Sequence, residues 1–162
     1  MGFVGSYLWR IRQKVGNERL IMPGVGILLV NEKKQILCGK RSDSGEWSYP
    51  GGAMEIGQSI TDCLREEALE EFGIEIGNEF RLVGMLTNPS RTSYTYPNGH
   101  EIQIVNFLFE VSLNGRDVKM DDEHTEFGWF DIENLPQPFK QDTFEAIKMY
   151  KIYLQTNVIQ LD

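Results

Sequence analysis

The chain is poor in cysteine and histidine, with two of each in 162 residues. Cys38 and Cys63 lie far apart and form no CxxC pair, which argues against a disulfide framework and against a zinc cluster. Both read as buried free thiols. Long apolar runs are missing too. No stretch approaches the ~20 residues that a membrane-spanning helix needs. Residues 1–9 lack the basic, apolar, small-residue order of a secretory leader, so a cytoplasmic location is the expectation. Basic residues are outnumbered, 16 against 24, for a formal net charge of −8. A surface of that sign repels phosphate backbones, which makes large nucleic acids poor partners. An acidic chain that handles small phosphates needs local cations, and a metal is one source of them.

What is present is ordinary for a globular chain: 41% hydrophobic and 25% charged residues, in a length that suits one domain with a real core. Residues 6–15 predict a short helix within an N-terminal extension, 1–19. Ser6 can cap it, Leu8, Ile11 and Val15 fall at helical spacing, and Gly16 can end it. Residues 20–30 predict a strand broken early at Pro23-Gly24, and residues 35–40 a second strand that forms a hairpin with it. A loop over 42–47 and a tight irregular segment over 48–52 follow. Residues 59–72 predict a helix, with Ser59 and Asp62 as a capping box and Gly73 at a left-handed stop. Beyond it come a strand over 80–87, a hairpin over 94–110 around Asn98-Gly99, and a short strand over 127–130. A C-terminal helix over 142–154 should bury Phe144, Ile147, Tyr150 and Leu154. The expectation is one domain over 1–162, of the α/β (α+β) class, with a mixed sheet between helices.

The helix over 59–72 carries the chemical signal. Its apolar side begins at Ile60, Cys63 and Leu64, and continuing in helical steps it reaches Glu67, Ala68, Glu70 and Glu71. Glu67 and Glu71 are a like-charge i,i+4 pair, which costs a few tenths of a kcal/mol. They also lie in the C-terminal half, where the helix dipole disfavours anions by about 0.3–1 kcal/mol each. A bound divalent cation would reverse that sign, and hard carboxylate oxygens suit magnesium or manganese. The helix alone leaves a solvated charge face and a metal site both open.

The segment from Gly52 to Ile74 resembles the Nudix box, GX5EX7REUXEEXGU, where U is a bulky aliphatic residue. Seven of its nine specified positions agree: Gly52, Glu67, Ala68, Glu70, Glu71, Gly73 and Ile74. Gln58 stands where the box has its first Glu, and Glu66 where it has Arg. The likeness extends outward to Trp47-Ser48-Tyr49-Pro50-Gly51 before the box and to 126–130 and Leu135-Pro136 after it, covering roughly residues 20–136.

The resemblance implies an α/β/α sandwich and a metal-dependent hydrolase that cleaves a phosphoanhydride in an ADP-ribose-like compound or a nucleoside triphosphate. It implies Mg2+ or Mn2+ bound by Glu67, Glu70, Glu71 and the backbone carbonyl of Gly51. Glu70 and Glu123 are the candidate catalytic residues. Glu123 comes from the acidic run 120–126, where Glu126 is the second choice for a base, His124 a weaker one, and a plain solvated loop the competing reading. Arg41 is the candidate phosphate-binding cation, against a surface salt bridge. Tyr96 is the candidate substrate-binding aromatic; it and Tyr94 are equally consistent with hairpin packing. Trp9 could also stack on a base, while Trp47 reads as packing. A rival within the family is a catalytically weak nucleotide-binding or sensor module, since Gln58 and Glu66 put turnover in doubt. A rival outside it is a structural domain with a merely solvated Glu helix. The expected partner is a small phosphorylated nucleotide, and the N-terminal helix could serve a homodimer.

Overall fold

The computed structural model describes residues 4–96, 98–113, 115, 117–119 and 123–162. The elements in order are α1 (Tyr7–Val15), β1 (Leu20–Val30), β2 (Ile36–Arg41), β3 (Trp47–Ser48), α2 (Ile60–Phe72), β4 (Phe80–Leu86), α3 (Pro89–Thr92), β5 (Ser93–Thr95), β6 (Glu101–Ser112), β7 (His124–Phe130), α4 (Gln141–Thr156) and β8 (Gln160–Leu161). The strands form one mixed sheet, ordered β3-β2-β1-β6-β4-β8, with β5 beside β6 and β7 beside β2. β1 runs parallel to β6 along its whole length, from Leu20 opposite Ile102 to Val30 opposite Ser112. The β1–β2 and β5–β6 pairs are antiparallel, as the turn signals lead one to expect.

Alternation along β1 builds two cores. Val25, Ile27 and Leu29 face α2 and meet Cys63, Leu64, Ala68 and Phe72. Leu28 and Val30 point the other way, into a cluster with Ala146, Ile147, Tyr150 and Tyr153 of α4. The sheet therefore lies between α2 and α4, the α/β/α arrangement. Cys38 and Cys63 are both free and buried, and burial pushes both thiols up to about 12.

Expectations for β1 and for α4 fail. β1 is not broken at Pro23: the Pro23 carbonyl accepts the Met54 N–H at 3.0 Å. Backbone groups of one strand residue point to the same edge, so the N–H that proline lacks would also have faced residue 54, and the pairing with β6 is undisturbed. In α4 the buried residues are Thr143, Glu145, Ala146, Ile147, Met149, Tyr150 and Tyr153, while Phe144 and Leu154 are 41% and 53% exposed. The helix is apolar on more than one side, and the sheet selects a stripe offset from the one the spacing suggested.

The strip from Trp47 to Met54 positions the site. β2 meets β1 at Val30–Ile36, then diverges to pair with β3. The chain leaving β3 crosses the gap and docks on β1: Ile27 N–H donates to the Pro50 carbonyl at 2.8 Å, and Val25 N–H to the Gly52 carbonyl at 2.9 Å. Gly51 sits between these two anchors with φ of 150°, and a Cβ there would lie 2.0 Å from the Val25 carbonyl oxygen, so only glycine is accommodated.

Candidate functional site

α2 begins where its sequence says it should. Ser59 accepts the Asp62 N–H, Asp62 returns a bond to the Ser59 N–H, and Gly73 closes the helix in the left-handed conformation. Ile60, Leu64, Ala68 and Phe72 form one i,i+4 ridge that stays apolar to the end of the helix. The neighbouring ridge, Cys63, Glu67 and Glu71, changes from apolar to acidic. The core face thus does not turn into carboxylates; a second ridge beside it does, and that ridge meets the glycine strip.

Glu67 and Glu71 both reach the strip. A Cβ on Gly52 would stand 1.9 Å from Glu67 Oε1, so the missing side chain is what lets the carboxylate lie against the backbone. The Gly51 N–H donates to Glu71 Oε2 at 2.9 Å. Glu70 is exposed. Burial, and then the charges of Glu70, Glu66 and Glu123, push Glu67 up to about 7. Among the described residues no lysine or arginine pairs with Glu67. Also among them, no three His, Cys, Asp or Glu side chains form a ready-made metal cage. Glu71 and Glu123 feel the charge of Arg41, whereas Glu67 is raised by the carboxylates around it, and a magnesium site that retains several waters needs few protein ligands. The Glu67 carboxylate, raised by burial and by its acidic neighbours, is a hard oxygen donor of the kind a divalent ion takes.

The same glycine pair lines a cleft of about 220 Å³. Glu67 and Glu71 border that pair, and none of the three box glutamates lines the cleft. Arg41, Tyr94, Tyr96 and Glu123 do line it, so the structure brings these candidates together although they are distant in the chain. Arg41 is gripped by Asp43, Nε to Oδ1 at 2.9 Å and Nη2 to Oδ2 at 2.8 Å. This local pair holds the Asp43 carboxyl below its usual range. Tyr94 and Tyr96 meet edge to face at 4.8 Å between ring centroids, so the rings pack on each other while lining the cleft. Burial raises the Tyr96 hydroxyl.

The other candidates lie elsewhere or serve packing. Glu126 pairs with Lys40 at 3.7 Å across β2 and β7. His124 belongs to β7, not to a loop, and is buried with its ring 5.2 Å from that of Phe127. Trp47 is buried against Phe130, at 4.9 Å between centroids. Trp9 is half-buried on α1, where its N–H caps onto Ser6. Met120, Asp121 and Asp122 of the acidic run lie outside the described residues.

Three cleft residues carry little or no sequence signal. Asp43 stands two residues from Arg41, a weak local cue. Lys140 comes in because residues 138–140 bond to Trp47, and its Nζ lies 5.7 Å from the Tyr94 ring centroid. Leu8 of α1 forms part of the wall. A larger cavity, about 680 Å³, lies between α4 and the far end of the sheet, lined by Arg81, Glu110, Tyr150 and Tyr153 among others, and contains no box residue. The chemistry points to the smaller one.

Comparison with known proteins gives the family and agrees with the fold. The NUDIX domain model matches residues 20–151. Nucleoside triphosphatase NudI of Escherichia coli O81 (strain ED1a) is 30% identical over 114 residues, 67% of this chain and 80% of that protein. ADP-ribose pyrophosphatase of Methanocaldococcus jannaschii is 30% identical over 130 residues, 78% of this chain and 70% of that protein. The crystallised NUDIX domain of Shewanella oneidensis NrtR, complexed with ADP ribose, superposes with a TM-score of 0.65 at 17% identity, covering 91% of this chain and 96% of that one. The chain belongs to the Nudix family of hydrolases.

Proposed function

We propose that this Nudix hydrolase cleaves a phosphoanhydride in an ADP-ribose-like compound or a nucleoside triphosphate, using Mg2+ or Mn2+. Glu67, Glu70, Glu71 and the Gly51 carbonyl would hold the ion. The observation that carries the reading is the Glu67 carboxylate set against Gly52, crowded by other carboxylates and pushed up to about 7. The neighbouring carbonyls of Pro50 and Gly52 are spent on β1, while the Gly51 N–H donates to Glu71, which supports Gly51 as the strip residue beside the ion.

When bound, the divalent ion offsets charge on the diphosphate and acidifies water. The chain's own groups have distinct tasks. Arg41, kept charged and oriented by Asp43, faces the cleft as a planar partner for phosphate oxygens. Glu123, on the cleft wall, would accept a proton from the attacking water. Tyr94 and Tyr96 supply an aromatic wall for a base. The names of the NudI and ADP-ribose pyrophosphatase relatives support the two substrate classes. Purified protein should be assayed with Mg2+ and with Mn2+ against ADP-ribose, nucleotide sugars, dinucleoside polyphosphates and nucleoside triphosphates. Turnover of at least one, abolished by EDTA, is expected; no cleavage across the panel would refute the proposal.

A further inference from the structure

The two departures from the box touch each other. Gln58 Nε2 donates to Glu66 Oε2, and Gln58 Oε1 accepts the Glu55 N–H at 2.7 Å. The Glu55 carboxylate in turn accepts the Tyr7 N–H, at 2.9 and 2.7 Å to its two oxygens, and lies 3.9 Å from the Arg10 guanidinium. A continuous path therefore runs from the start of α1, through Glu55 and Gln58, to Glu66, the residue beside Glu67.

An amide suits this path because it has both an acceptor and a donor. It faces a backbone N–H on one side and a carboxylate on the other. A glutamate at 58 could keep the first bond, but it has nothing to donate to Glu66 and would set two carboxylates in contact. An arginine at 66 would suit a glutamate at 58. The two positions are thus complementary in either polarity and mismatched when only position 58 is changed.

We propose that Gln58 and Glu66 are a matched pair of positioning residues, which clamp the strip after Gly52 to α2 and hold Glu67 against Gly52. This rests on Glu67 being a metal ligand, as argued above. The pair explains how both box positions can depart while the acidic ridge keeps its place.

The test compares Q58E, E66R and Q58E/E66R with wild type by calorimetric titration of Mn2+ into the folded proteins and by steady-state kinetics, with thermal unfolding as the check of fold. Charge alone and positioning predict opposite signs. By charge alone, the extra carboxylate of Q58E should tighten Mn2+ binding, and adding E66R to Q58E should weaken it. The matched pair predicts that Q58E binds Mn2+ about tenfold more weakly and loses about tenfold in kcat with KM within about twofold. Q58E/E66R should recover most of both losses. Unchanged or tighter binding in Q58E overturns the pair, as does a double variant worse than Q58E. A wild type with no saturable Mn2+ site would instead refute the metal reading itself, and the two failures are distinguished by whether wild type binds.

Discussion

A carboxylate pressed against the Gly52 backbone has little water to stabilise its charge, and Glu67 meets Glu70, Glu66 and Glu123 as well. Its folded pKa is about 7, above the ordinary 4.5. The sign follows from linkage: the folded chain holds a proton that the unfolded chain releases, so this contribution to stability is full below about pH 4.5 and is lost as pH rises through 7. In EDTA, the Tm of wild type relative to Glu67→Gln should therefore fall between pH 4.5 and 7, as followed by differential scanning calorimetry. A flat difference would show that Glu67 is not perturbed. The same variant should lose about 10²-fold or more in kcat with Mg2+, the usual effect of deleting one preorganised charge. Glu67, Glu70 and Glu71 were readable as candidates because they match the box spacing and because a like-charge pair in the C-terminal half of a helix goes against its dipole. Asp43 and Lys140 were not, since nothing local marks a cleft residue.

At the level of elements, α2 was readable to its ends because its stops are local chemistry: a capping box at Ser59 and a left-handed glycine at Gly73. Ser59→Ala should cost about 1 kcal/mol, seen as a fall in Tm of about 2–4 °C for a chain of this size. α1 lies outside the matched family segment, yet Leu8 lines the cleft. It is held there by Arg12, whose buried guanidinium donates to the carbonyls of Gly16, Glu18 and Glu101, and by the Tyr7–Glu55 bond. α1 is thus a wall of the cleft, and on the proposed function Leu8→Ala should raise KM about tenfold with kcat nearly unchanged. An unaltered KM in steady-state assays would remove α1 from substrate binding. The short elements β3, α3 and β8 escaped the sequence reading because two to four residues carry no periodicity. In α4 the helix was readable and its phase was not, because apolar residues on several sides leave the choice of stripe to the sheet.

Across the whole molecule, the proposed metal would connect stability to function. A ligand that binds only the folded state stabilises it by about 2.7 kcal/mol at a hundred times its Kd. Millimolar Mn2+ should therefore raise Tm in wild type, EDTA should reverse the rise, and Glu67→Gln should show little of it; differential scanning fluorimetry is sufficient to check this. Equal shifts in both proteins would mean that the ion binds elsewhere on a surface of net charge −8. Local composition and spacing were enough for the class of fold and the limits of the main helix, and the box spacing was enough to single out Glu67, Glu70 and Glu71 as candidates. Folding alone could decide the parallel β1–β6 pairing, the seating of Gly51 and Gly52 on β1, the meeting of Arg41 with Tyr96 and Glu123, and the Gln58–Glu66 contact. Those depend on which distant segments share an edge or a face, and short-range patterns do not encode that choice.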